Sequence, residues 1–130
     1  MLFPVTALYA LPLTLLCLVL WVRVSSARAR LKVSIGDAGN TALHEAIRRH
    51  GNFIEWVALA LPLMLIAEGN GAWPAGLHAA GALLVVGRLI HPFGLSAANA
   101  SHPLRIIGNT ASLLTTLCLV GLLFLSTFGS

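Results

Sequence analysis

The stretch Ala46-Ile-Arg-Arg-His-Gly-Asn-Phe-Ile-Glu55 runs without a break into Trp56-Val-Ala-Leu-Ala-Leu-Pro-Leu-Met-Leu-Ile-Ala67, and the join between them decides how the chain folds. The second half is apolar enough for lipid, while the first sets Arg48, Asn52 and Glu55 at helical spacing just before it. Such groups at the edge of hydrocarbon are costly unless they face protein or water, so they mark a functional site. On a helix over 42–67, at about 100° per residue, His44, Arg48, Asn52 and Glu55 share one sector. Glu45 and Arg49 lie beside that sector, and His50 points the other way.

Working outward, the whole chain has a membrane composition. Of its 130 residues, 58% are hydrophobic and 9% charged, against about 25% charged in an ordinary soluble domain. Mean hydropathy is +0.89. One membrane domain over 1–130 is expected, with spans at about 3–22, 42–67, 75–93 and 104–128 and polar connections at about 23–41 and 94–103. Phe3 to Val22 carries no charge and matches the roughly 20 residues a helix needs to cross a bilayer. Positive charge follows this run instead of preceding it, so it reads as a retained helix and not as a cleaved signal peptide. Pro12 is expected to kink it.

Asn40 or Thr41 is placed to cap the second helix. Glu68-Gly-Asn-Gly-Ala-Trp-Pro74 reads as a short break with Trp73 at the lipid–water boundary. In the third span Gly76, Ala80 and Gly81 would let another helix approach closely. Arg88 and His91 follow, one turn apart. Arg105, Asn109, Ser112 and Thr116 form a polar stripe on the fourth.

Charge then orients the bundle. Every Lys and Arg (Arg23, Arg28, Arg30, Lys32, Arg48, Arg49, Arg88 and Arg105) lies in or beside the first and third connections. The positive-inside rule puts both connections in the cytoplasm and both termini on the other side. The polar stripes of the second, third and fourth helices all begin at that same end.

Several chemistries are disfavoured. Cys17 and Cys118 sit inside apolar runs without a partner motif, so neither a disulfide framework nor a zinc site is expected. His91 and His102 are too few for a metal. The glycines match neither a dinucleotide fingerprint nor a phosphate loop, and nucleic acid is not an expected partner. Arg23 to Lys32 read as side chains snorkelling to lipid headgroups. What remains is Arg48, Arg49, Arg88 and Arg105 around a single membrane-level acid, Glu55. That surplus suits an anionic ligand gripped by guanidinium forks, with Glu55 and Asn52 left for an ammonium or amide group. No side chain has the base a nucleophile needs, so a reactive group is expected from a bound cofactor. An arginine beside a thiol would favour its thiolate, and Arg105 is the candidate.

These residues resemble a known family. Ala46 to Trp56 is similar to the second-helix motif of the membrane-associated proteins in eicosanoid and glutathione metabolism, the MAPEG family. Ala27-Arg-Ala-Arg-Leu-Lys-Val33 with Gly36-Asp37 resembles the first loop of its small bacterial members, Gly87-Arg-Leu-Ile-His91 its third-helix element, and Arg105 its fourth-helix arginine. The resemblance implies an all-α integral membrane four-helix bundle, assembled as a homotrimer in the bacterial inner membrane, with glutathione at the subunit interfaces. Carried over by position, Arg48, Asn52, Glu55, Arg88 and His91 would hold the tripeptide, with a looser match at Arg28, and Arg105 would stabilise the thiolate. Gly51 and Leu95 depart from the pattern, Leu95 standing where several active members have a tyrosine. The function so implied is a glutathione transferase or peroxidase acting on lipophilic electrophiles. The other class open to this sequence is a non-catalytic assembly or anionic-ligand-binding protein on the same scaffold.

Overall fold

A computed structural model describes residues 2–129. The chain forms four helices, α1 (Pro4–Leu31), α2 (Thr41–Gly69), α3 (Pro74–Gly94) and α4 (Pro103–Phe128), each long and apolar enough to cross a membrane. Their outer faces are lined by Leu11, Leu18, Leu59, Leu117 and Phe124, all exposed. A narrow apolar core of Leu13, Leu20, Phe53, Met64, Leu84 and Leu119 runs between the helices. Exposed apolar faces around a thin core are what lipid as solvent requires.

Pro4, Pro74 and Pro103 stand at the first helical positions, where a missing N–H costs nothing. Helix α1 continues unbroken through Pro12. It also runs to Leu31, well past Val22 where the first connection was expected to begin. Ala27, Ala29, Arg28, Arg30 and Leu31 are strong helix formers, so the helix persists where the polarity changes. At 28 residues and about 1.5 Å per residue, α1 is longer than a hydrocarbon core of about 30 Å. Its last turns therefore carry their arginines beyond the core. Lys32 closes the helix in the left-handed conformation, at φ 56°.

The connection from Val33 to Asn40 is tightly turned. Asp37 Oδ1 accepts the Gly39 N–H at 2.9 Å and Oδ2 meets His44 Nδ1 at 2.6 Å. Asn40 Oδ1 then caps α2 by accepting the Leu43 N–H at 2.9 Å.

The closest helix pair is α3 with α4. A Cβ on Gly108 would stand 2.6 Å from His91 Cβ and 2.8 Å from the Gly87 carbonyl oxygen, and one on Gly94 would run into the Arg105 backbone. The small residues of α3 meet different partners. Gly76 faces Leu122 and Gly81 the Tyr9 ring, while the Ala80 carbonyl accepts the Thr115 hydroxyl at 3.3 Å.

At the end remote from the arginines, Glu68 closes the bundle. Its two carboxylate oxygens accept the Val5 and Thr6 N–H groups, each at 2.8 Å. Glu68 belongs to the last turn of α2 and not to the break after it. A carboxylate there satisfies two orphan donors and complements the positive end of α1.

Candidate functional site

At the arginine-rich end, α2, α3 and α4 bring most of the expected site residues together. Arg48, Asn52, His91, Arg105 and Asn109 line a cavity of about 250 Å³, with His44, Glu45 and the backbone around Leu95 to Ala97 at its rim. Asn52 and Asn109 also line an adjoining groove of about 490 Å³, whose other walls are Glu55, Trp56, Leu59, Thr110 and Leu113. A polar cavity thus opens through two carboxamides onto an apolar groove.

Arg88 lies beneath the cavity and not in it. It is 1% exposed, and its guanidinium donates to Asn52 Oδ1 and to the Gly108 carbonyl, both at 2.7 Å. A guanidinium has no acceptor, so the Asn52 oxygen must face it and the Asn52 NH2 is turned away. Arg88 therefore positions a donor instead of supplying one. Its Nε and the Nε2 of buried His91 have no hydrogen-bond partner. Both atoms are buried, an uncommon state for unpartnered polar groups.

Arg48 and Glu55, two turns apart, pair at 3.2 Å with both side chains about half exposed. An ion pair so open to solvent contributes little to stability, which leaves both groups available to a ligand. Gly51 makes room for this arrangement, since a Cβ there would stand 3.2 Å from Arg48 Nη1. Arg49 faces elsewhere, donating twice to the Leu95 carbonyl at 2.8 and 3.1 Å and pairing with Glu45 at 3.2 Å. Glu45 in turn accepts the Ala97 N–H at 2.8 Å. Together they fasten the α3–α4 connection to α2. At Leu95, then, the backbone carries a contact.

Two expectations change. Arg28 does not line the cavity; it donates to the Gly36 carbonyl at 2.8 Å and holds its own connection in shape. The hydroxyl stripe expected beside Arg105 is absent. Ser112 is fully buried and donates to the Gly108 carbonyl at 3.0 Å, and Thr116 donates to the Ser112 carbonyl at 2.9 Å. In apolar surroundings a hydroxyl satisfies itself on the carbonyl four residues back. Arg105 is half-buried and donates to the Ala100 carbonyl at 3.1 Å, with Asn109 as its polar neighbour along the helix.

Asn109 and the Glu45–Arg49 clamp are what the sequence alone undervalued. The signal for Asn109 was its place one turn after Arg105. No signal marked the Leu95 carbonyl, a backbone atom 46 residues from Arg49. Among the described residues, no group of three His, Cys, Asp or Glu side chains could hold a metal.

Four apolar helices with an arginine-lined cavity at one end define a small bundle of the membrane type. The chain belongs to the MAPEG family, whose model matches residues 6–125. It is 41% identical over 90 residues to the inner membrane protein YecN of Escherichia coli strain K12, covering 69% of each chain. YecN of Escherichia coli strain CFT073 matches to the same extent. No solved structure matches.

Proposed function

We propose that this protein binds glutathione in the cavity between α2 and α4 and uses it as a transferase or peroxidase on lipophilic electrophiles. The observation that carries the reading is the donor set. Arg48, Asn52, His91 and Arg105 converge on one cavity, with the Asn52 NH2 turned away from Arg88, while Glu55 stands at the adjoining groove. Two carboxylates, an amide-rich backbone and an ammonium group are the complement of that set. Arg105 stabilises the thiolate, and the apolar groove beyond Asn52 and Asn109 admits a substrate partitioning from the bilayer. In conjugation the thiolate sulfur forms a bond to an electrophilic carbon, and the leaving group departs with the electron pair.

The protein works as a homotrimer in the inner membrane, with the arginine-rich end in the cytoplasm. Membership of the MAPEG family, the inner-membrane relative and the clustering of Lys and Arg support this. The cavity is also not enclosed within one chain, since it runs on past Asn52 and Asn109 into the open groove beside it. A second copy completes the wall.

Glutathione titration of the purified protein tests the reading. Thiolate absorbance in the far ultraviolet is expected with the wild type and not with Arg105→Ala, alongside conjugation of a chlorinated dinitrobenzene. Binding without either signal would leave the non-catalytic alternative, which the Arg105–Ala100 bond favours because it engages part of the guanidinium. Absence of binding would overturn both.

A further inference from the structure

Cationic side chains also gather on the neighbouring face of α2, across Glu45 from the proposed glutathione cavity. Arg23, Arg30 and Arg49, with Ser26 and Asn40, line a cavity of about 440 Å³ between the last turns of α1 and the start of α2. Arg23 and Arg49 also line a second, more apolar cavity of about 360 Å³, walled by Leu16, Val19, Leu89 and Phe93. The α1 residues of the two cavities form one stripe: Leu16, Val19, Leu20 and Arg23, then Ser26, Ala27 and Arg30. This spacing keeps them on a single helix face. A polar chamber and an apolar trough therefore follow one another along α1 and share two arginines.

The charges in the chamber do not cancel. Glu45 is its one acid, and both of its oxygens are engaged, by Arg49 and by the Ala97 N–H. Among the described residues neither Arg23 nor Arg30 has a carboxylate partner. Arg23 directly follows the uncharged run of α1, and Arg30 stands two turns further on, about 10 Å along the helix. Guanidinium groups bind phosphate oxygens in a fork, and basic pockets between membrane helices hold anionic headgroups.

We propose that this paired chamber and trough is a binding site for one anionic phospholipid of the surrounding bilayer. Its phosphate lies between Arg23 and Arg30, and an acyl chain lies against Leu16, Val19, Leu89 and Phe93. The site does not depend on glutathione binding. It ties the lipid to Arg49 and, through the Leu95 carbonyl, to the connection that rims the other cavity.

Native mass spectrometry of the detergent-solubilised protein, titrated with dioleoyl phosphatidylglycerol and separately with dioleoyl phosphatidylcholine, tests this. One phosphatidylglycerol per protomer is expected to bind in preference to phosphatidylcholine. Each arginine replaced, as Arg23→Gln or Arg30→Gln, should weaken the anionic lipid about fivefold and leave phosphatidylcholine unchanged. Lys32→Gln removes a nearby cation that lines neither cavity and should have no effect. Glycerophosphoglycerol, the headgroup without chains, should not bind at the same concentrations. Equal binding of the two lipids, equal losses with Lys32→Gln, or full binding by the bare headgroup would each overturn the proposal. Both arginines are exposed and carry no ion pair, so these variants should fold. The Arg23→Lys protein, which keeps the charge and loses the fork, is expected to fall between wild type and Arg23→Gln.

Discussion

Replacing Arg88 tests how the site is held together, because the structure orders two substitutions against intuition. Arg88 is a buried cation with no carboxylate partner among the described residues. Its charge rests chiefly on two carbonyl-type acceptors, Asn52 Oδ1 and the Gly108 carbonyl, both at 2.7 Å, with Asn109 Oδ1 a long third at 3.5 Å. Hydrogen bonds to a charged group contribute about 1.5–3 kcal/mol each, so the pair supplies about 3–6 kcal/mol. Desolvating the guanidinium costs several kcal/mol, a comparable amount. In Arg88→Met both sides of that balance vanish. The Gly108 carbonyl still accepts the Ser112 hydroxyl at 3.0 Å, and Asn52 faces a cavity that water can enter. Stability should then change by no more than about 1.5 kcal/mol. Arg88→Lys keeps the buried charge but cannot fork to both acceptors, and so should lose about 1.5–3 kcal/mol. Unfolding of both variants in one detergent measures the order, and a lysine protein more stable than the methionine protein would refute the reasoning. Both variants should bind glutathione at least about tenfold more weakly, since without the fork nothing orients the Asn52 NH2.

Other perturbations separate positioning from contact. Asn52→Asp gives Arg88 a counter-charge while removing the NH2 donor, so stability should hold or rise as glutathione affinity falls; a parallel loss of both would show that Asn52 is mainly structural. Glu68→Gln keeps an acceptor but loses the charge at the start of α1, and should cost about 1–2 kcal/mol in thermal unfolding. Unchanged stability there would mean that the helix end is served by solvent. Asp37 is held below its ordinary value of 3.8 first by the Gly39 N–H and then by His44. A depressed carboxyl stabilises above its unfolded pKa, and that contribution fades as pH falls through the folded one. Cleavage of the first connection by pepsin, taken relative to Asp37→Asn at each pH so that the protease's own pH dependence cancels, should accordingly be slower near pH 3.8 and approach the variant's rate in stronger acid.

The architecture was legible because lipid imposes a coarse rule. Four apolar runs separated by turn residues have few alternatives, and of the two cap candidates, Asn40 and Thr41, Asn40 serves. The end of α1 was misread for a definite reason: polarity changes at Arg23, but Ala27 to Lys32 are all good helix formers and the turn glycines come only at Gly36 and Gly39. Glu68 was misread because its partners, Val5 and Thr6, lie more than sixty residues away. Beside glycine and asparagine a carboxylate resembles the opening of a turn. Arg48, Asn52 and Arg105, singled out by spacing because intramembrane polar groups are few, and His91, carried over from the family resemblance, line one cavity. Spacing gives the face of a helix, not the depth of a side chain. That is why Arg88 was taken for a contact when it lies below one, and why Ser112 and Thr116 were placed beside Arg105 when their hydroxyls turn back into α4.

The two walls of the cavity are built on different physics. Between α3 and α4, Gly87, Gly94 and Gly108 let backbone meet backbone, and a close-packed contact of that kind resists deformation. His91, Arg105 and Asn109 therefore sit on one rigid piece. The wall bearing Arg48, Asn52 and Glu55 belongs to α2, which joins that piece at this end through polar links: Arg88 to Asn52, and Arg49 and Glu45 to the Leu95–Ala97 backbone. Polar links can exchange partners with water or a ligand at little net cost, and packed glycines cannot. A guest spanning the cavity would therefore act on α2, drawing Arg48 and Glu55 out of their exposed pairing while the α3–α4 piece stays fixed. On this view the Arg48–Glu55 pair is a resting arrangement. Separating it should cost the ligand less than about 1 kcal/mol.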